Sequence, residues 1–216
     1  PVIRKIAIQM LYSLMFMQKH KIIHCDFKPE NILLRQHGKT GIKVIDFGSA
    51  CFSDQKMYTY IQSRFYRAPE VILETGYGSE IDSWSFGCVL VELFTGAPIF
   101  PGENERDQLY YMIEYLGIPD IDIINASPKM RNFFSEEGKI LEIPNSKGKI
   151  RQPNTKSLKK FLKGADPEFI DLVSKCFQFD PNKRIKPAEA ILHPWITYGM
   201  PKEILQYHKN NINGEE

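Results

Sequence analysis

With 216 residues, 43% hydrophobic and 12% aromatic, the chain is long and apolar enough to bury one large core, unlike a disordered segment. A formal net charge of +2 gives no electrostatic footprint for nucleic acid or a membrane surface, and no apolar run is long enough to span a bilayer. The four cysteines, Cys25, Cys51, Cys88 and Cys176, lie far apart without a Cys-x-x-Cys pair. That spacing predicts reduced thiols in an intracellular compartment, cytoplasmic or nuclear, rather than a disulfide framework or a zinc site. No signal peptide opens the chain and Pro1 follows no initiator Met, so the expectation is a piece of a longer protein.

Taken in order, Ile3, Ile6, Ala7, Met10, Leu11, Leu14 and Met17 recur at helical spacing between polar residues and predict an amphipathic first helix. It leads through Ile22-Ile23 into His24-Cys25-Asp26-Phe27-Lys28-Pro29-Glu30-Asn31. Pro29 has no backbone N–H, so an irregular loop is expected there. Ile32-Leu33-Leu34 and Ile42-Lys43-Val44-Ile45 predict a β-hairpin turning through His37-Gly38-Lys39-Thr40-Gly41. That hairpin brings Asn31 near Asp46, the first residue of Asp46-Phe47-Gly48. From Asp46 to Ala68-Pro69-Glu70 there is no helical period, and loops of such length are functional or disordered.

Glu80 to Thr95 is apolar on every face, which predicts a buried helix, with Gly96 placed to cap it and Pro98 to stop it. Leu109, Met112, Ile113 and Leu116 mark another helix ending at Gly117. The stretch from about 118 to 164 loses periodicity and carries Lys139, Lys147, Lys149, Arg151, Lys156, Lys159, Lys160 and Lys163, which read first as a solvated loop face. Asp166-Pro167 starts a helix through Phe177, and Pro187 opens a final helix through Leu192. Residues 197–216 are expected to be a polar tail, disordered from Asn210 on.

The residue types around Asp26 are those that phosphoryl transfer needs: a carboxylate to accept a hydroxyl proton, and hard oxygen donors to hold magnesium. Asp26 is the candidate base, and Lys28 places a positive charge beside a migrating phosphoryl group. Asn31 and Asp46 are the candidate metal ligands, acting with the phosphate oxygens of a nucleotide. His24 is expected to be a structural imidazole packed on Phe47. Tyr60 is followed at four and seven residues by Arg64 and Arg67, which could bind a phosphate on it, with Tyr58 the weaker acceptor.

H-C-D-F-K-P-E-N, D-F-G and A-P-E, in that order, resemble a eukaryotic protein kinase over nearly the whole chain, from Pro1 to about Ile196. His-Cys-Asp in place of His-Arg-Asp, Asp-Phe-Gly-Ser-Ala-Cys and the run Tyr58 to Arg67 resemble the dual-specificity tyrosine-regulated kinases of the CMGC group, although Phe27 stands where that family usually has Leu. The resemblance implies an α+β fold: the mainly helical large (C-terminal) kinase lobe, residues 1–196, with short β-hairpins and the N-terminal lobe absent. It implies a catalytic loop at 24–31, an activation segment at 46–70 and a group-specific insert at about 118–164. It further implies ATP and Mg2+ as cofactors, proteins as substrates, phosphorylation of Ser and Thr, and autophosphorylation on Tyr60. Ser63 resembles the hydroxyl residue that bridges base and lysine, Glu70 and Arg184 a buried ion pair, and Asp82 the helix acid that receives catalytic-loop amides. The glycine-rich loop and the ATP-anchoring lysine occur nowhere in these residues, so the isolated chain is expected to be inactive. A non-enzymatic, kinase-like interaction module is the alternative.

Overall fold

The computed structural model describes residues 1–56 and 59–213, with side chains described as far as Asn210. The first helix, α1 (Val2–Lys19), buries Ile6, Ala7, Met10, Leu11, Leu14 and Met17 along one stripe, as the spacing predicts. Lys21 then takes a left-handed backbone (φ 56°) and turns the chain into β1 (Ile22–Ile23). Strands β2 (Ile32–Leu34) and β3 (Ile42–Val44) form the expected antiparallel hairpin, pairing Ile32 with Val44 and Leu34 with Ile42. Gly38 has φ 73° in its turn, a conformation that costs glycine least. A second small sheet pairs β1 with β4 (Cys51–Phe52), within the stretch read as irregular. Strands of two residues are too short to show any period.

The centre of the fold is α3 (Glu80–Thr95), in which every residue from Ile81 to Val91 is buried. Gly96 ends it in the left-handed conformation (φ 78°), its N–H bonded to the Glu92 carbonyl. Only the last turn departs from all-round burial, with Leu93 and Phe94 exposed. Against α3 pack α1 and α7 (Pro167–Cys176), while the short buried α2 (Pro69–Leu73) packs on α4 (Glu105–Leu116). Asn104 caps α4 by accepting the Asp107 amide at 2.9 Å, and Asp166 caps α7 by accepting the Glu168 amide at 2.9 Å. Trp84 of α3 packs within 5.6 Å of the Phe100 ring and 5.0 Å of the Phe177 ring.

Three expectations need correction. The stretch from 118 to 164 contains α5 (Ile121–Asn125), α6 (Leu158–Phe161) and a bridge between Phe134 and Ile140, and it buries Phe133, Phe134 and Leu162. Within its basic run Arg151 is not solvated: it is buried and bonded to Asp107 at 2.6 Å and to Glu114 at 2.6 Å. Two carboxylates on α4 demand a cation, and burial makes a delocalised guanidinium the suitable one. The helix at Pro187 is not the last. After α8 (Pro187–Ala190) come α9 (Pro194–Thr197) and α10 (Lys202–Asn213), a helix within the polar tail that continues past Asn210, where disorder is expected. Buried His208, joined to Tyr12 of α1, holds α10 against the body. Among the described residues no helix is long and apolar enough to cross a membrane.

Where α3 crosses α7, a Cβ on Gly87 would lie 2.6 Å from the Cys176 Cβ and 3.0 Å from the Phe177 ring. Gly87→Ala should therefore cost about 1–3 kcal/mol by overpacking, although alanine is the better helix former. Urea unfolding checks this, and a variant as stable as the parent would contradict the close crossing.

Candidate active site

Strand β1 delivers His24 and Cys25 onto the N-terminal turn of α3, where Asp82 waits. The buried Asp82 carboxylate accepts the His24 N–H at 2.8 Å and the Cys25 N–H at 3.2 Å. Burial pushes its carboxyl up to about 7, while the two amides pull the other way. Cys25 itself has φ 63°, a strained conformation for a side chain with a Cβ. Its carbonyl accepts the N–H of Gln62, which also has positive φ (64°), at 2.9 Å. Gln62 is a buried hub that motif reading did not single out. Its amide donates to the Ile81 carbonyl at 3.1 Å and to Ser85 Oγ at 2.9 Å, and its oxygen accepts the Ala68 N–H at 2.8 Å. A lone polar residue in a loop carries no period, and only its neighbours in space disclose the role.

Asp26 stands at the centre of a closed ring. Its Oδ1 accepts the Ser63 hydroxyl at 2.7 Å and the Ser63 N–H at 3.1 Å, and its Oδ2 lies 2.7 Å from Lys28 Nζ. Lys28 Nζ closes the ring by donating to Ser63 Oγ at 2.9 Å. Burial pushes the Asp26 carboxyl up, but Lys28 and Ser63 more than offset that, so the group lies below the usual carboxylate range and is ionised at neutral pH.

Asn31, in the 3-10 turn Pro29–Asn31, donates its amide to the Asp26 carbonyl at 2.9 Å and to Asp26 Oδ2 at 3.2 Å. With the nitrogen committed to Asp26, the amide oxygen is the atom left for a cation. The Asn31 carbonyl accepts the Ile45 N–H at 2.9 Å, which sets Asp46 beside the loop at residues 24–31. Asp46 has φ 63° and an exposed carboxylate whose Oδ1 accepts the Gly48 N–H at 3.3 Å. An amide oxygen and a free carboxylate form a hard donor set suited to a divalent cation.

His24 has both nitrogens occupied: Nδ1 accepts the Asp26 N–H at 3.2 Å, and Nε2 donates to the Ile45 carbonyl at 3.0 Å. Burial lowers its pKa, so the imidazole is neutral. Its ring lies 5.0 Å from Phe47 and 5.8 Å from Phe27. Neither nitrogen is left to take a proton from a substrate.

Residues 1–196 match the family model for the protein kinase domain. The chain belongs to the protein kinase family. It is 48% identical over 219 residues to the mouse dual specificity tyrosine-phosphorylation-regulated kinase 3, covering 94% of this chain and 37% of that protein. It is 48% identical to a putative Drosophila melanogaster homolog of that kinase (93% of this chain, 26% of that protein). To the human dual specificity tyrosine-phosphorylation-regulated kinase 4 it is 47% identical, covering 90% of this chain and 38% of that protein. The kinase chain thus spans well under half the length of these curated relatives.

In this kinase chain Glu70 and Arg184 meet as a bidentate pair at 2.6 and 2.8 Å, both buried. Arg184 also donates to the carbonyls of Glu80 at 2.9 Å and Gln178 at 2.9 Å, so α2, α3 and the stretch after α7 share one cation. Removing one partner of such a pair costs about 3–5 kcal/mol, because the other charge stays buried.

Tyr60 is 69% exposed, and its ring lies 4.2 Å from the Arg67 guanidinium carbon. Arg67 is buried, bonded to the carbonyls of Ile61 at 2.9 Å and Gln62 at 2.8 Å, and it reaches Glu105 at 3.5 Å. Arg67 also holds the Tyr60 phenol below its ordinary pKa. Arg64 donates to the carbonyls of Glu103 at 2.7 Å and Gly102 at 3.3 Å. Both arginines are therefore engaged in the unmodified chain, and Arg67 alone touches Tyr60. Tyr58 lies outside the described residues.

Proposed function

We propose that these residues form the catalytic-loop side of a kinase active site that transfers the γ-phosphoryl group of ATP to Ser and Thr of protein substrates, and to its own Tyr60. The observation that carries this reading is the closed Asp26–Lys28–Ser63 ring. Asp26, ionised and within reach of a hydroxyl docked beside Ser63, takes the hydroxyl proton. Lys28 holds Asp26 in place while presenting its charge to the phosphoryl oxygens. The Asn31 oxygen and the Asp46 carboxylate would hold magnesium, which neutralises phosphate charge when bound. The glycine-rich loop and the lysine that position ATP would come from residues outside 1–216, so the isolated chain should not transfer phosphate. The four free thiols support an intracellular setting.

In the full-length protein, Asp26→Asn should lower kcat/KM by about 10²–10⁴-fold while leaving the melting temperature near that of the parent. The sign of the pH dependence follows from the depressed Asp26. The carboxylate stays ionised down to below the ordinary aspartate range, so it gives no acid limb in kcat/KM between pH 5 and 7. A full rate in folded Asp26→Asn would remove Asp26 from the mechanism.

Phosphorylation of Tyr60 would place nearly two negative charges beside Arg67, which can release its long contact with Glu105 to pair with them. Mass spectrometry of the active recombinant full-length protein should find Tyr60 phosphorylated. The kinase-dead Asp26→Asn form made the same way should lack the modification. An active enzyme with unmodified Tyr60 would end this reading.

A further inference from the structure

Helix α7 turns two faces to different surroundings. Phe169, Leu172, Val173 and Cys176 are buried in the core. Pro167, Ile170 and Ser174, spaced by three and four residues, form a second face that lines a groove of about 520 Å3. The rest of the lining comes mainly from α6 and the turn after it, with Lys159, Leu162, Lys163 and Ala165. None of the residues assigned above to phosphoryl transfer lines this groove. Its accessible apolar surface is that of Ala165, Pro167 and Ile170, with Leu162 fully buried beneath.

Charge decides what this apolar surface can take. Lys159 and Lys163 are both exposed, and among the described residues neither ammonium group has an ion-pair partner. The lining holds one carboxylate, Asp171, which is already engaged. Its Oδ2 accepts from Lys175 Nζ at 2.5 Å and from His193 Nε2 at 2.8 Å. His193 Nδ1 accepts the Trp195 N–H, so the ring hydrogen sits on Nε2 and points to Asp171. Lys175, and after it His193, hold the Asp171 carboxyl below the usual carboxylate range, so it is ionised and compensated at neutral pH. Asp166 and Glu168, on the first turn of α7, lie outside the lining. The uncompensated charge of the groove is therefore the positive pair Lys159 and Lys163.

We propose that the groove between α6 and α7 docks an acidic linear segment of a partner protein, with an aliphatic side chain set between Asp or Glu residues. The aliphatic group covers Ala165, Pro167 and Ile170, and the flanking carboxylates meet Lys159 and Lys163. Two separate ammonium groups beside one apolar surface call for two anions around one apolar group. A peptide carries that pattern, whereas a simple fatty acid has a single carboxylate at its end. No covalent step is involved.

The test follows the fluorescence anisotropy of a labelled peptide, Gly-Asp-Glu-Leu-Glu-Asp-Gly, titrated with the full-length protein. Saturable binding is expected, about tenfold weaker or more when Gly replaces the central Leu. Replacing the acids by Asn and Gln should weaken it by a similar factor of about ten, and added salt should weaken the acidic peptide alone. Lys159→Glu combined with Lys163→Glu should lower affinity about tenfold or more at an unchanged melting temperature, since both side chains are exposed. Ile170→Gln should weaken the Leu peptide and not the Gly peptide. The peptide series on the unaltered protein stands even if that last variant loosens α7. Octanoate should not displace the peptide, and phosphatidylserine vesicles should not pellet the protein. Displacement by octanoate, or pelleting that the double lysine variant loses, would overturn the proposal in favour of a fatty acid or a lipid surface. Absence of saturation, equal affinity for the Leu and Gly peptides or for the acidic and amide peptides, or unchanged binding in the folded double lysine variant would each overturn it as well.

Discussion

The structure depends on one buried carboxylate. Asp82 sits on the first turns of the most buried helix of the fold and accepts two successive backbone amides from the loop below it. Those amides belong to His24 and Cys25, so Asp82 sets the backbone that leads into Asp26, and Ser63, Lys28 and Asn31 then hold the Asp26 carboxylate. The positive φ at Cys25 would relax in a free loop, because a side chain with a Cβ pays to stay there. Asp82 below and Gln62 beside it over-determine that conformation, and the strain persists because their hydrogen bonds hold the Cys25 backbone on both sides.

From that anchor the site assembles outward. Gln62 ties the loop to Ser85 of α3 and to Ala68, so the position of Ser63 is set by the same helix that sets Asp26. Lys28 and Ser63 then close on Asp26 from two segments far apart in sequence, and the ring leaves the carboxylate ionised. The Glu70–Arg184 pair holds the end of the same segment against the helical body, with its charges desolvated but mutually satisfied. The Asn31 amide bonds Asp26 itself, and Asp46, set by the strand that follows, keeps an exposed carboxylate bonded to the Gly48 N–H.

Much of this was legible in the sequence, and the reasons differ by element. The helices α1 and α7 announced themselves by a 3.6-residue apolar period, and α3 by an apolar run on every face that stops at Gly96. The Asp26, Lys28 and Asn31 cluster was legible because those three residues are close in sequence and chemically unusual together. The β1–β4 ladder was not, since two residues carry no alternation. Arg151 was hidden among lysines: nothing local separates a buried guanidinium from a solvated one, and its partners lie on α4, far back in the chain. Gln62 and α10 escaped for the same reason, being polar stretches whose burial is decided by tertiary contacts with Ser85, Ala68 and Tyr12.

The central claim is that Asp82 positions Asp26 without touching the reacting groups. The direct measurement is the phosphoryl-transfer rate of Asp82→Ala in the full-length protein, with near-UV circular dichroism confirming that the variant is folded. The account predicts a loss of roughly tenfold or more in kcat, since small misplacements of a catalytic group cost on the order of 10²-fold. A folded Asp82→Ala protein that transfers phosphate at the parental rate would contradict it.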